Sequence, residues 1–140
     1  MTMAQDRDLF PQFTIGQTAS RDNTVERQHI EQFARVSGDH NPLHTHEDFA
    51  KKTRFKGIIA HGMLTASFIS AVIGNDLPGA GCVYVSQSLS FKAPVRIGDT
   101  VKSLVTITHI DEKKRLLRLH TQCSVENHVV LDGTAVIYIP

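Results

Sequence analysis

The chain has 140 residues, 41% of them hydrophobic, and its 15 basic and 14 acidic side chains leave a formal net charge of +1. That is enough apolar material for one domain with its own core, and too much for a disordered chain. The basic residues stand singly or in pairs such as Lys51-Lys52 and Lys113-Lys114, which is not the footprint of a nucleic-acid-binding protein.

The amino terminus, Met1-Thr2-Met3-Ala4-Gln5-Asp6-Arg7-Asp8, lacks the basic start and apolar core of a secretory signal, so a cytoplasmic location is expected. Residues 1–9 are expected to form a flexible tail on a single domain spanning 1–140. From Phe10 to Ser20 the pattern is loosely extended. The Asp22-Asn23-Thr24 cluster then offers an N-cap for an amphipathic helix carrying Val25, Ile30, Phe33, Ala34 and Val36 and ending near Gly38. Thr45 with Asp48 resembles a capping box, which predicts a short helix from about His46 to Lys51.

The segment from Gly57 to Asn75 carries no Asp, Glu, Lys or Arg. It is barely long enough to cross a membrane and contains His61, Gly62, Thr65, Ser67 and Ser70, so a buried helix from Ile58 to Gly74 or Asn75 explains it better than a membrane span. Having no polar face, such a helix has to be covered on every side. The covering is expected from four β-rich segments, Cys82 to Phe91, Thr100 to Ile110, Leu116 to Val125 and Val129 to Ile139. The intervening turns, Pro94 to Asp99, Asp111-Glu112-Lys113-Lys114 and Asn127-His128, are short enough for an antiparallel meander. A long uncharged helix wrapped by antiparallel strands is an α+β arrangement with the layout of a hot dog fold. Cys82 and Cys123 form no close pair and read as free thiols of a reducing compartment.

Ser37-Gly38-Asp39-His40-Asn41-Pro42-Leu43-His44 is the stretch that carries chemistry. Gly-Asp and Asn-Pro are ordinary turn punctuation. Here, however, they also place a carboxylate and an imidazole on a turn that Pro42 prevents from becoming one regular helix, so Asp39 and His44 can converge. His40, His44 and His46 raise the question of a metal site, but no spaced cysteine or fourth ligand accompanies them, and none is expected. No Gly-x-Ser-x-Gly elbow, Walker loop or dinucleotide fingerprint is present.

The run Phe33 to His44, with Ala50 six residues beyond it, resembles the hydratase-2 signature of the MaoC-like (R)-specific enoyl-CoA hydratases. The resemblance extends to His61-Gly62-Met63, to Leu77-Pro78-Gly79-Ala80-Gly81 and to the segment from Gln87 to Val95. It implies a hot dog fold, a homodimer, and reversible hydration of a trans-2-enoyl-CoA to the (R)-3-hydroxyacyl-CoA; the compact chain suggests short or medium acyl groups. No cofactor beyond the coenzyme A of the substrate is implied. Asp39 and His44 would hold the water and share acid and base duties, Asn41 and Ser70 would help to position it, and the Gly62 N–H would form the oxyanion hole. Met63, Phe68, Val72 and Ile73 would wall the acyl pocket, and Lys52, Arg54, Lys56 and Lys92 would meet the coenzyme A phosphates. His61, the one strongly polar group at the head of the apolar helix, would line the pocket or cap the loop before it. Related hot dog activities stay open: a dehydratase acting on acyl carrier protein, a thioesterase, or a noncatalytic acyl-CoA-binding protein.

Overall fold

The computed structural model describes residues 10–140, so the tail expected over 1–9 lies outside the described residues. A 3-10 turn at Phe10–Gln12 leads into β1 (Thr18–Thr24), α1 (Arg27–Ser37), α2 (Pro42–Thr45), α3 (Glu47–Lys51) and α4 (Gly62–Asn75). Five further strands follow: β2 (Val83–Gln87), β3 (Ser90–Phe91), β4 (Thr100–Asp111), β5 (Leu116–Val125) and β6 (His128–Tyr138). All pairings are antiparallel in one six-stranded sheet of order β1-β4-β5-β6-β2, with β3 also on β6.

Alternation decides which face of the sheet is buried. In β4 the side chains of Val101, Ser103, Val105 and Ile107 point inward, and in β5 those of Leu117, Leu119, Thr121 and Cys123 do. They meet Ile69, Val72 and Ile73 of α4, which packs against β1, β4, β5 and β6. Each large aliphatic side chain removed from water there contributes about 1.5–3 kcal/mol. A single helix held against an antiparallel sheet is the expected α+β hot dog layout.

Several local expectations are corrected. Asp22-Asn23-Thr24 is the end of β1, not a helix cap: these residues pair with Lys102, Val101 and Thr100 of β4. Helix α1 starts instead at Arg27, where the Glu26 N–H donates to His29 Nδ1 at 3.0 Å. The Thr45 capping box does not form, because Thr45 closes α2, donates to the Asn41 carbonyl at 3.3 Å, and leaves His46 as the residue before α3. α4 begins at Gly62 and not at Ile58. Residues 58–61 precede it without regular structure, with the Ala60 N–H on the Val95 carbonyl at 2.7 Å, and a buried apolar run of this kind carries no periodicity to distinguish it from helix.

The meander holds for β4, β5 and β6, but the segment from Cys82 to Phe91 splits into β2 and β3 and crosses to β6. The β5–β6 turn consists of Glu126 and Asn127, both with positive φ as a type I′ hairpin requires, so it sits one residue before the expected Asn127-His128. Nor do the described residues cover α4 all round. Met63, Ser67, Ser70 and Gly74, spaced by three or four residues, form an exposed stripe.

Candidate active site

The loop after α1 is built from local side-chain bonds. Gly38, at φ +80°, turns the chain out of the helix while its N–H still reaches the Ala34 carbonyl at 2.9 Å. Ser37 Oγ donates to the Phe33 carbonyl at 2.6 Å and accepts from the Asp39 N–H at 3.1 Å. Asp39 Oδ1 then accepts from the Asn41 N–H at 3.1 Å, and Asn41 Oδ1 from the Leu43 N–H at 3.1 Å. These carboxyl and amide oxygens stand in for the backbone acceptors a helix start lacks, so with Pro42 in the first turn α2 forms and carries His44 inward.

His44 Nδ1 lies 2.7 Å from the Ile59 carbonyl. A carbonyl only accepts, so Nδ1 carries the hydrogen, and in the neutral ring Nε2 offers its lone pair. The His44 ring stacks on that of His61, centroids 4.1 Å apart at 30°. His61 is buried, its Nε2 donates to the backbone carbonyl of Asp39 at 3.1 Å, and Phe33 packs on its ring at 4.8 Å. Burial holds the His61 pKa below its ordinary value. The hydrogen bond to the Asp39 carbonyl and the Asp39 charge oppose this, while the neighbouring His44 and His40 add to it.

Asp39, His44, His61 and Gly62 all line one cavity of about 470 Å³. Gly62 opens α4, and the first N–H of that end to find a helical acceptor is that of Leu64, on the His61 carbonyl at 3.0 Å. The Gly62 N–H therefore belongs to the unpaired, electropositive first turn of the helix, and Gly62 lines the cavity. Side-chain space is absent there as well: a Cβ on Gly62 would stand 2.6 Å from the Phe91 ring. A carboxylate, an imidazole lone pair and a backbone donor around one partly apolar cavity suit proton transfer next to a carbonyl that gains negative charge.

Of the other residues singled out in the sequence, Met63, Arg54 and Lys92 also line this cavity. Asn41 is exposed, serves as the cap of α2 and is not part of the lining. Ser70 lies on the exposed stripe of α4, Phe68 is half-buried beside the core, and Val72 and Ile73 are fully inside the core; none of the four lines the cavity. Lys52 and Lys56 are exposed on the segment leading to the cavity but do not line it either.

The sequence left several lining residues unassigned, among them Phe55, Thr65, Phe91, Val130 and Leu131. Val130 and Leu131 come from the last strand, which only sheet closure brings opposite α4. Among the described residues, the group able to present metal donors is Asp39, His44 and His61, with donor atoms within 4.8 Å of one another. A tetrahedral ion with bonds near 2.1 Å needs donors about 3.4 Å apart. One nitrogen of each ring is already bonded to a backbone carbonyl, and the trio differs from the three histidines that cluster in sequence.

Residues 12–128 match the family model described as the MaoC-like domain. An (R)-specific enoyl-CoA hydratase of Rhodospirillum rubrum is 50% identical over 131 residues, covering 94% of this chain and 91% of that protein. A 3-hydroxybutyryl-CoA dehydratase of Methylorubrum extorquens is 44% identical, covering 94% of this chain and 83% of that protein. Among solved structures, the (R)-hydratase of Aeromonas caviae involved in PHA biosynthesis superimposes with a TM-score of 0.88 at 39% identity, over 91% of this chain and 98% of that one. Sequence, fold and site geometry agree, and the chain belongs to the MaoC-like domain family.

Proposed function

We propose that this protein is an (R)-specific enoyl-CoA hydratase that reversibly adds water to a trans-2-enoyl-CoA to give the (R)-3-hydroxyacyl-CoA. The observation that carries this reading is the meeting of Asp39, His44 and Gly62, the first residue of α4, around one cavity. Both side chains offer acceptors, so a water between them donates one hydrogen to each and turns its lone pair toward the β-carbon of the substrate. As the oxygen bonds to that carbon, the pair transfers a proton from the water and delivers one to the α-carbon; the net change is H and OH added across the double bond. Between these events the π electrons reach the thioester oxygen. There the Gly62 N–H, at the head of α4, contributes about 3 kcal/mol to the transition state.

Further parts of the reading follow from the surface. A cavity of this size suits short to medium acyl chains, with Met63 on its wall, and Arg54 and Lys92 at the same cavity suit the coenzyme A phosphates. The proposed reaction needs neither metal nor cofactor. The β2 edge has no partner strand among the described residues and exposes Val83, Tyr84 and Val85; Phe91 and Met63 are exposed as well. A second copy pairing along this edge and covering the α4 stripe with Ser70 would form a homodimer. The two free thiols fit a cytoplasmic location.

The test is spectrophotometric. Addition of the protein to crotonyl-CoA, a four-carbon trans-2-enoyl-CoA, is expected to remove the absorbance of the conjugated thioester, and Asp39→Asn to lower kcat by about 10³-fold. Full activity of that variant refutes the assignment of Asp39. Release of free thiol indicates a thioesterase instead, and binding without turnover a noncatalytic protein.

A further inference from the structure

We propose that His61 is a positioning residue for the reaction, its ring setting the relative placement of Asp39, His44 and the Gly62 N–H. The inference rests on the hydratase reading above.

Three contacts carry it. The Nε2 of His61 donates to the backbone carbonyl of Asp39 at 3.1 Å, so the ring fixes the height of the loop that bears the carboxylate. The face of the ring lies against His44 with centroids 4.1 Å apart, which limits the tilt of that imidazole about its bond to Ile59. The backbone of His61 begins α4: its carbonyl accepts from the Leu64 and Thr65 N–H groups at 3.0 and 3.3 Å, and the next residue is Gly62. One side chain thus ties both acid/base groups, which come from the loop after α1, to the helix end that bears the oxyanion donor. Phe33 closes the ring from the α1 side at 4.8 Å.

The chemistry of the residue fits this use better than a core-filling role does. A core position 2% exposed is ordinarily aliphatic, whereas this ring keeps one nitrogen on a carbonyl and leaves Nδ1 without a partner among the described residues. Because Nε2 must carry the hydrogen, Nδ1 of the neutral ring is a bare acceptor, and protonating it would create a buried N–H with nothing to receive it. The charged or titratable groups that face the ring are Asp39, His40 and His44. A neutral ring can stack closely on His44 in either of its protonation states, which a cation could not do without cost when His44 is charged.

Three variants separate the functions of the ring. His61→Gln keeps an N–H that can reach the Asp39 carbonyl but loses the stack; His61→Phe keeps the stack and loses the donor; His61→Ala loses both. The expected kcat for crotonyl-CoA falls about tenfold in each of the first two and about 100-fold in the third, the scale on which small misplacements act, with KM changed less than about twofold. Melting curves and circular dichroism establish the folded fraction, and rates are referred to it; should the Ala variant not fold, the Gln and Phe variants carry the comparison. A kcat per folded molecule within about threefold of wild type in all variants that fold overturns the inference while leaving the hydratase reading intact. So does a loss in His61→Ala that neither Gln nor Phe partly restores. Absence of hydration by the wild-type protein overturns the hydratase reading itself.

Discussion

Gly62→Ala is expected to separate catalysis from folding. The added Cβ would lie 2.6 and 2.7 Å from two carbons of the Phe91 ring, closer than real carbons approach. That ring is 54% exposed and sits on the two-residue strand β3, so it can swing toward solvent. The folding cost is then about 1 kcal/mol, the low end for overpacking, and it is partly offset because alanine loses less chain entropy than glycine in a helix. Activity has no such relief. The methyl crowds the N–H proposed to receive the thioester oxygen, and loss of one such donor costs about 10²–10³ in kcat, or about 2.7–4 kcal/mol. Initial rates with crotonyl-CoA are therefore expected to fall about 100-fold while Tm moves by only a few degrees. In a Phe91→Ala background the space is free, and adding Gly62→Ala is expected to cost less than it does alone, a coupling that a double-mutant cycle measures. A Gly62→Ala enzyme with kcat within about threefold of wild type refutes the assignment of that N–H.

Two further outcomes concern stability. Gly133→Ala is expected to cost about 3 kcal/mol or to prevent folding, since its Cβ would lie 1.8 Å from the Ser88 carbonyl oxygen, a backbone atom. The Ser88 N–H is itself bonded to the Thr134 carbonyl at 2.9 Å, so it cannot retreat; an unchanged urea midpoint refutes the contact. The second outcome is a pH dependence. The His61 pKa is lower in the folded protein than in the unfolded chain, where it is about 6.5. Between those two values the unfolded state binds the extra proton, so stability falls as pH drops below about 6.5 through the folded value. Urea midpoints at several pH values down to 5 are expected to fall less steeply in His61→Gln than in wild type; equal slopes refute it.

The legible parts of this chain are those where one residue constrains its own backbone or where a pattern repeats. Gly38 and Pro42 bracket Asp39 and make a turn unavoidable, and the alternation of β4 and β5 marks their inner faces at Val105, Ile107, Leu117 and Leu119. The absence of charge from Gly57 to Asn75 marks the central helix, whose expected end at Gly74 or Asn75 falls at Asn75. Its start was not legible, because Ile58, Ile59 and Ala60 are buried in a non-helical lead-in that apolar composition cannot distinguish from helix. Asp22-Asn23-Thr24 misled for a related reason: residues with good capping chemistry become strand when a neighbour, here β4, offers a complete ladder.

Local chemistry alone placed the carboxylate and the imidazole on a common turn, because this depends on a few neighbouring bonds and torsions. Tertiary structure made them a site. The Ile59 carbonyl that orients His44 and the Asp39 carbonyl that receives His61 are bonded across 15 and 22 positions of sequence. The ring over Gly62 comes from β3, and Val130 and Leu131 reach the cavity only because β2 and β3 cross to pair with β6. Likewise, an exposed face on a helix without charge appears only once the sheet has covered the other faces. Contacts of this range are chosen by which packing closes the core, a property of the whole chain that no short stretch of residues contains.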